Sequence, residues 1–512
     1  MPLAVATIAG AVAVSLPPAP AAPAPAAQAP AAQAPAAPAP ASPPPGAQAP
    51  GAEAAGRSSK LAGPAAPGIA PPVTLLATPL LSPARLPRTL QDLWAARTLS
   101  APLARTLSAA ALGQAAAVAS CAEVAQDGQV IYQDHPQRPV LPASNMKLLT
   151  ATALLGRLGP GYTFRTRVMA VAPPADGVVQ GNLYLVGGGD PLLRLPGYAA
   201  QVVDGGKVYS NVTKLVTALQ AAGVREITGS VIGDDSRYDS VRSVASWPAT
   251  YGEQGDVGPL SALGIDDGAP AGGSVPTSAP PAVQSAGILT QLLTSAGITV
   301  GGPPGSGRVP PGGRVLAQLV SPPLRVILGE VLRESDNTAM ELMTKELGLE
   351  QDGTGSTAAG VAAVRADLAA DGLPLRGFVN VDGSGLSRHD RVTCTLLMAV
   401  LQRAGAHGIL AGDLPVAGKS GTLVDELNGT VAAGRVEAKT GTLDGVKALS
   451  GWVLPVEGQS PGNPALGSPV VFSLVLNGLA PSVADPGALT DRFAVDLAEY
   501  PQAPALALFE PG

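Results

Sequence analysis

Pro142-Ala143-Ser144-Asn145-Met146-Lys147 opens an apolar run that continues through Leu148, Leu149, Leu154 and Leu155 to Leu158, where Gly159-Pro160 interrupts it. The proline before the run and the Gly-Pro after it predict one helix bounded by those residues. With about 3.6 residues per turn, Ser144 and Lys147 share a face of that helix. Both sit in its first turn, where backbone N–H groups lack helical partners and the helix dipole favours a developing negative charge. An amine beside a hydroxyl can take its proton and make it a nucleophile. Taken alone, a serine and a lysine at this spacing are more often a solvated helix start than a catalytic pair.

Further along the chain, Leu324, Ile327, Leu328 and Leu332 recur at helical spacing. Glu334-Ser335-Asp336-Asn337-Thr338 follows, and then a second helix through Met340, Leu342, Met343 and Leu347. By itself Ser335-Asp336-Asn337 reads first as an N-cap. Val379 to Leu386 is a Gly-rich loop ending in Ser387-Arg388, with a helix expected over Val392 to Ala404. Two near-identical tetrapeptides come next, Lys419-Ser420-Gly421-Thr422 and Lys439-Thr440-Gly441-Thr442. Polar Asp425-Glu426-Leu427-Asn428-Gly429 after the first predicts a loop. The second opens a strand-rich stretch, with β-like Val446 to Val453 and Val470 to Leu476, and Asp491 to Tyr500 is an amphipathic helix. Strand context selects Lys439.

S-x-x-K, S-D-N and K-T-G in this order, on a helix start, an inter-helix loop and a strand, are the signature of penicillin-binding proteins and class A β-lactamases. Ser144 and Ser335 lie 191 residues apart, and Ser335 and Lys439 lie 104 apart. From about Leu86 to the C-terminus the chain resembles the class C low-molecular-mass penicillin-binding proteins, the D-alanyl-D-alanine carboxypeptidase/endopeptidase family. The resemblance rests on the three motifs, on Leu141-Pro142-Ala143-Ser144, on Leu185-Val186-Gly187-Gly188-Gly189-Asp190-Pro191 and on Val381-Asp382-Gly383-Ser384-Gly385-Leu386-Ser387-Arg388. Leu414-Pro415-Val416-Ala417-Gly418 with Gly421-Thr422-Leu423 looks like the segment before K-T-G in that family, so Lys419 is read as a chance match.

The resemblance implies an α+β fold: a serine transpeptidase/β-lactamase-like domain over 86–164 and 315–512, an antiparallel sheet with helices on both faces. A mostly β inserted domain over 165–314 interrupts it, shorter than the family usually carries. It implies a serine-type D-Ala-D-Ala carboxypeptidase, with endopeptidase activity as a companion, acting on peptidoglycan stem peptides and acylated by β-lactams. Ser144 would be the acylated nucleophile, Lys147 its base and Ser335 the proton relay to the leaving amine. Asn337 would bind the substrate amide. Lys439, Thr440, Gly441 and Thr442 would hold the terminal carboxylate, and the N–H groups of Ser144 and Thr442 would form the oxyanion hole. A lysine titrates ordinarily near about 10.4, so Lys147 needs burial or a nearby cation, and Lys439 and the helix terminus are candidate sources of that field. No metal and no cofactor is expected. Rival readings are a β-lactamase or serine esterase on the same fold and a non-catalytic wall-binding protein. The long chain and the lack of an E-x-x-x-N motif weigh against the class A lactamase, and the six retained motif residues weigh against the scaffold.

Composition is consistent with this. The chain has 512 residues and a formal net charge of −6, with no basic, aromatic-interleaved patch of the kind that binds nucleic acid. His135, His389 and His407 lack metal-ligand spacing, and Asp234-Asp235 reads as a surface turn rather than a metal site. Cys121 and Cys394 could pair if exported, but the sequence does not show that they meet, and two separate buried thiols fit it at least as well. Residues 1–16 include a short apolar, signal-like run without the usual preceding Lys or Arg. Residues 17–85 form an Ala/Pro-rich linker that cannot bury a core. Leader, spacer and globular body together predict an extracytoplasmic enzyme, secreted or associated with the cell wall.

Overall fold

The structure, a computed structural model, describes residues 88–201, 207–269, 278–456, 468–481, 483 and 485–500. The signal-like run and the Ala/Pro-rich tract lie outside them. Among the described residues no helix is long and apolar enough to cross a membrane.

The central sheet has five strands in the order Val436–Leu443, Val446–Val453, Val470–Asn477, Cys121–Gln126, Gln129–Asp134, each antiparallel to its neighbour. Asp127 and Gly128, with φ of 52° and 77°, make the turn between the two N-terminal strands. Two successive positive φ values match strand twist, which is why Asp-Gly suits a two-residue hairpin. Side chains alternate across the sheet, and both faces are covered. Cys121, Ala125, Ala448, Trp452, Val471 and Val475 enter one core; Ala122, Val124, Leu449, Val453, Phe472 and Leu474 enter the other. Burial on both faces explains why Val446–Val453 and Val470–Asn477 read as mostly apolar runs.

Helices Met146–Arg157, Leu324–Glu334, Asn337–Asp352 and Cys394–Ala404 contribute to the first core. Leu99 and Leu103 of helix Arg88–Thr106 and Phe493 and Leu497 of helix Gly487–Glu499 fill the second. The fold is therefore the expected antiparallel sheet between helical layers. The reading of two separate thiols does not hold. Cys121 begins a strand, Cys394 begins a helix packed on the same face, and the two are disulfide-bonded with Cα atoms 6.0 Å apart. Their partnership depends on a helix–sheet contact spanning 273 residues, which no local pattern encodes.

The inserted segment has its own core, including Val168, Leu185, Leu215, Val231, Leu289 and Leu319. Its sheet runs Gly305–Ser306, Val231–Asp234, Leu183–Val186, Arg165–Ala170, Arg314–Val320, and helices Thr213–Ala221 and Pro281–Ser295 supply part of the core. The outgoing strand Arg165–Ala170 and the returning strand Arg314–Val320 pair antiparallel, with Arg165 opposite Val320. The chain thus leaves and re-enters the larger body side by side. The expected return at 315 falls inside the returning strand, whose pairing ties residues 314–320 to the inserted sheet. Asp234 accepts backbone N–H bonds from Ser236 and Val309 at 3.0 and 2.7 Å, and Asp235 pairs with Arg242.

Candidate active site

Ser144 stands in a 3-10 turn, Ala143–Asn145, that runs directly into helix Met146–Arg157. Sequence reasoning placed it in the α-helix itself; the turn before that helix is tighter, and Ala143 within it adopts φ +48°. A non-glycine residue there carries strain of roughly 1–3 kcal/mol. Its approach is fixed by Asn477, whose side chain accepts from Leu141 N at 2.7 Å and donates to Leu141 O at 3.0 Å. Gly385 of the Gly-rich loop lies against Ala143, with φ +88°, and a Cβ there would come within 1.9 Å of Ala143 O. Only glycine fits that position.

Lys147 lies one turn on and is fully buried. Its Nζ donates to Ser144 Oγ at 3.1 Å, to Asn337 Oδ1 at 2.6 Å and to Ser384 O at 2.9 Å. This one ammonium joins the first motif, the second motif and the Gly-rich loop. Burial lowers its pKa to about 8, against the opposing charges of Asp382, Glu341 and Asp336. Of the two causes the sequence left open, burial and a nearby cation, removal from water is the main one.

Helix Leu324–Glu334 ends in Ser335, a left-handed C-cap with φ +58°. The reversal lets Asp336 cap the next helix by accepting from Ala339 N at 2.8 Å. The N-cap reading of this segment therefore holds at Asp336. The inserted segment grips this turn. Arg194, only 3% exposed, lies 2.9 Å from Asp336 Oδ2, Gly258 N donates to Thr338 Oγ1 at 2.8 Å, and Asn337 Nδ2 donates to Asp256 O at 2.8 Å.

Lys439, Thr440, Gly441 and Thr442 lie within strand Val436–Leu443 rather than at its start. Lys439 is fully buried and donates to Thr440 O at 3.1 Å. Burial, and next the charge of Lys147, push its pKa well below the ordinary lysine value, with Glu334 opposing. Thr442 Oγ1 accepts from Lys447 Nζ at 3.1 Å, and Thr440 Oγ1 shares a 2.7 Å hydrogen bond with Thr422 Oγ1.

Ser144, Ser335, Asn337, Thr440, Gly441 and Thr442 line a cavity of about 310 Å³. It meets a larger one of about 1000 Å³ at Ser335 and Asn337, and that one extends along the inserted segment past Trp247, Tyr251 and Asp256. All three motifs thus converge on one cleft. Lys147 and Lys439 are buried behind its wall.

Sequence reasoning missed an acid cluster behind Lys147. Glu341 Oε1 accepts from Gly383 N and Ser384 N at 2.9 and 2.7 Å. Asp382 accepts from Trp247 Nε1, Gly385 N and Ser387 N at 2.7, 2.7 and 2.6 Å. Burial, then the charge of Asp382, raises Glu341 to about 8 and Asp390 to about 10. The available signal was Glu341 itself, an acid four residues after Asn337 among apolar Met340, Leu342 and Met343, and so on the same helix face.

Residues 99–278 and 272–496 match the D-Ala-D-Ala carboxypeptidase 3 (S13) family. The chain is 34% identical over 454 residues to a D-alanyl-D-alanine carboxypeptidase of an Actinomadura species, covering 73% of this chain and 79% of that protein. It is 31% identical over 345 residues to a carboxypeptidase of Mycobacterium tuberculosis, covering 63% and 70% respectively. The fold is like that of penicillin binding protein 4 from Haemophilus influenzae, with a TM-score of 0.63 at 21% identity, covering 78% of this chain and 98% of that one. The match extends across both the three-motif cleft and the inserted segment, and the chain belongs to the D-Ala-D-Ala carboxypeptidase 3 (S13) family.

Proposed function

We propose that the chain is a serine-type D-alanyl-D-alanine carboxypeptidase that cleaves peptidoglycan stem peptides outside the cytoplasm, with cross-link endopeptidase activity from the same site. The observation that carries this reading is Lys147 Nζ, held within 3.1 Å of Ser144 Oγ and 2.6 Å of Asn337 Oδ1. With a pKa of about 8, roughly a tenth of the lysine is neutral at pH 7. The neutral amine takes the Ser144 proton as Oγ attacks the carbonyl between the two D-alanines. Ser335 passes that proton to the leaving amine, D-alanine departs, and water hydrolyses the ester on Ser144. The Ser144 and Thr442 N–H groups stabilise the oxyanion, Asn337 holds the substrate amide, and Lys439 with Thr440, Gly441 and Thr442 holds the carboxylate. A β-lactam presents the same carbonyl and carboxylate and leaves the serine acylated.

A labelled penicillin tests this. The wild type should form a long-lived adduct and Ser144→Ala none; a penicillin adduct on Ser144→Ala sinks the assignment. Rapid turnover of penicillin by the wild type would favour the β-lactamase reading. Release of D-alanine from a D-Ala-D-Ala pentapeptide, compared with cleavage of cross-linked muropeptides, separates carboxypeptidase from endopeptidase action.

A further inference from the structure

Lys419-Ser420-Gly421-Thr422 resembles K-T-G only by chance in sequence, yet it does not lie idle. Pro415 and Ala417 pair with the outer edge of the Lys439 strand: Ala417 N donates to Val436 O at 2.9 Å and Ala438 N to Pro415 O at 3.0 Å. The chain then turns through Gly421–Leu423, a 3-10 turn. Gly421 has φ +58°, and a Cβ on it would lie 2.6 Å from Arg333 O, two residues before Ser335. Leu423 is buried in the core on one side, and Gly418 N donates to Leu423 O at 2.8 Å. The turn is thus wedged between the second motif and the third. It presents Thr422 into the cleft wall, with Oγ1 2.7 Å from Thr440 Oγ1.

We infer that Thr422 is a positioning residue for carboxylate recognition, donating its hydroxyl proton to Thr440 Oγ1 so that Thr440's own proton points to the substrate. A threonine hydroxyl has one proton and two lone pairs. If Thr440 spent its proton on Thr422, it would face an anionic substrate with acceptor electrons only. With Thr422 as donor, Thr440 is left as a donor toward the carboxylate, where a charge-assisted hydrogen bond is strongest. The demand exists only for substrates that carry the carboxylate.

This rests on the acyl-enzyme reading above, and one experiment separates the two. A thioester acyl donor ending in a free carboxylate is compared with its methyl ester on the wild type, Thr422→Val and Thr422→Ser. Thr422→Val keeps the shape and removes the hydroxyl. It should lower kcat/KM for the acid about tenfold relative to the ester, as expected for a hydrogen bond to a charged group. Thr422→Ser, which restores the hydroxyl, should recover most of the ratio. An equal loss on both donors, no loss, or failure of Thr422→Ser to recover overturns the role of Thr422. A wild type inert toward both donors overturns the acyl-enzyme reading and this inference with it.

Discussion

The tetrapeptides at 419–422 and 439–442 differ at one position, yet they occupy opposite environments. Lys439 sits in the middle of a strand and is completely buried. Lys419 is exposed before a 3-10 turn. The strand at 436–443 is held along its length by its neighbour, Lys439 opposite Ser450 and Thr440 opposite Leu449. The earlier segment makes only isolated bridges, Val416 to Glu437 and, within its own turn, Val416 to Ser420. Four residues therefore do not determine their own role. Pairing turns the lysine of one copy inward, where the charge of Lys147 acts on it, and leaves that of the other in water.

The sharpest way to break this contrast is to remove each lysine. Lys439→Ala should slow penicillin acylation by about a hundred- to a thousandfold, the range for losing one oriented polar group from an acyl-transfer site. Lys419→Ala should leave the rate within about twofold, because an exposed charge contributes little. Equal effects would erase the distinction. A smaller effect is expected from Gly421→Ala, which forces a Cβ into the left-handed region against Arg333 O. It should destabilise the protein by about 1–3 kcal/mol, read as a lower Tm. An unchanged Tm would show that the wedge at Gly421 is loose. The smallest effect is a shift in pH dependence. Acylation should rise with pH through an inflection near 8, as Lys147 loses its proton. Burial raises Glu341, and its charge, once ionised, holds the lysine proton more firmly. Glu341→Gln keeps an acceptor for Gly383 N and Ser384 N but removes that charge, so the inflection should move to lower pH. Lys419→Met should leave it in place. An upward shift in Glu341→Gln would contradict the assigned electrostatics.

Much of the frame was legible because it is periodic. Val446–Val453 appears with the bounds its apolar run predicts, and Asp127-Gly128 turns the hairpin that its dipeptide announces. The three motifs could be placed because each lies on an element with a local signal: a proline-led helix start, a junction between helices, a strand. The rest of the cleft depends on distances across the chain. Asn477 ends a strand with no mark distinguishing it from any other polar strand end, yet it fixes the backbone before Ser144. Arg194 reaches Asp336 across 142 residues. Thr422 lies in the tetrapeptide with the weaker strand context. Strand context bears on which lysine is buried and carries no information about the threonine.

The bond between Cys121 and Cys394 closes a ring through the covalent chain. Ser144, Lys147, Ser335, Asn337 and the whole inserted segment lie within that ring, and Lys439 to Thr442 lie outside it. A protease that nicks the inserted segment once cannot separate the nucleophile from the second motif, since the two pieces stay joined through sulfur. Such a nick would pass unseen on a non-reducing gel and resolve into two fragments only after a thiol reductant is added.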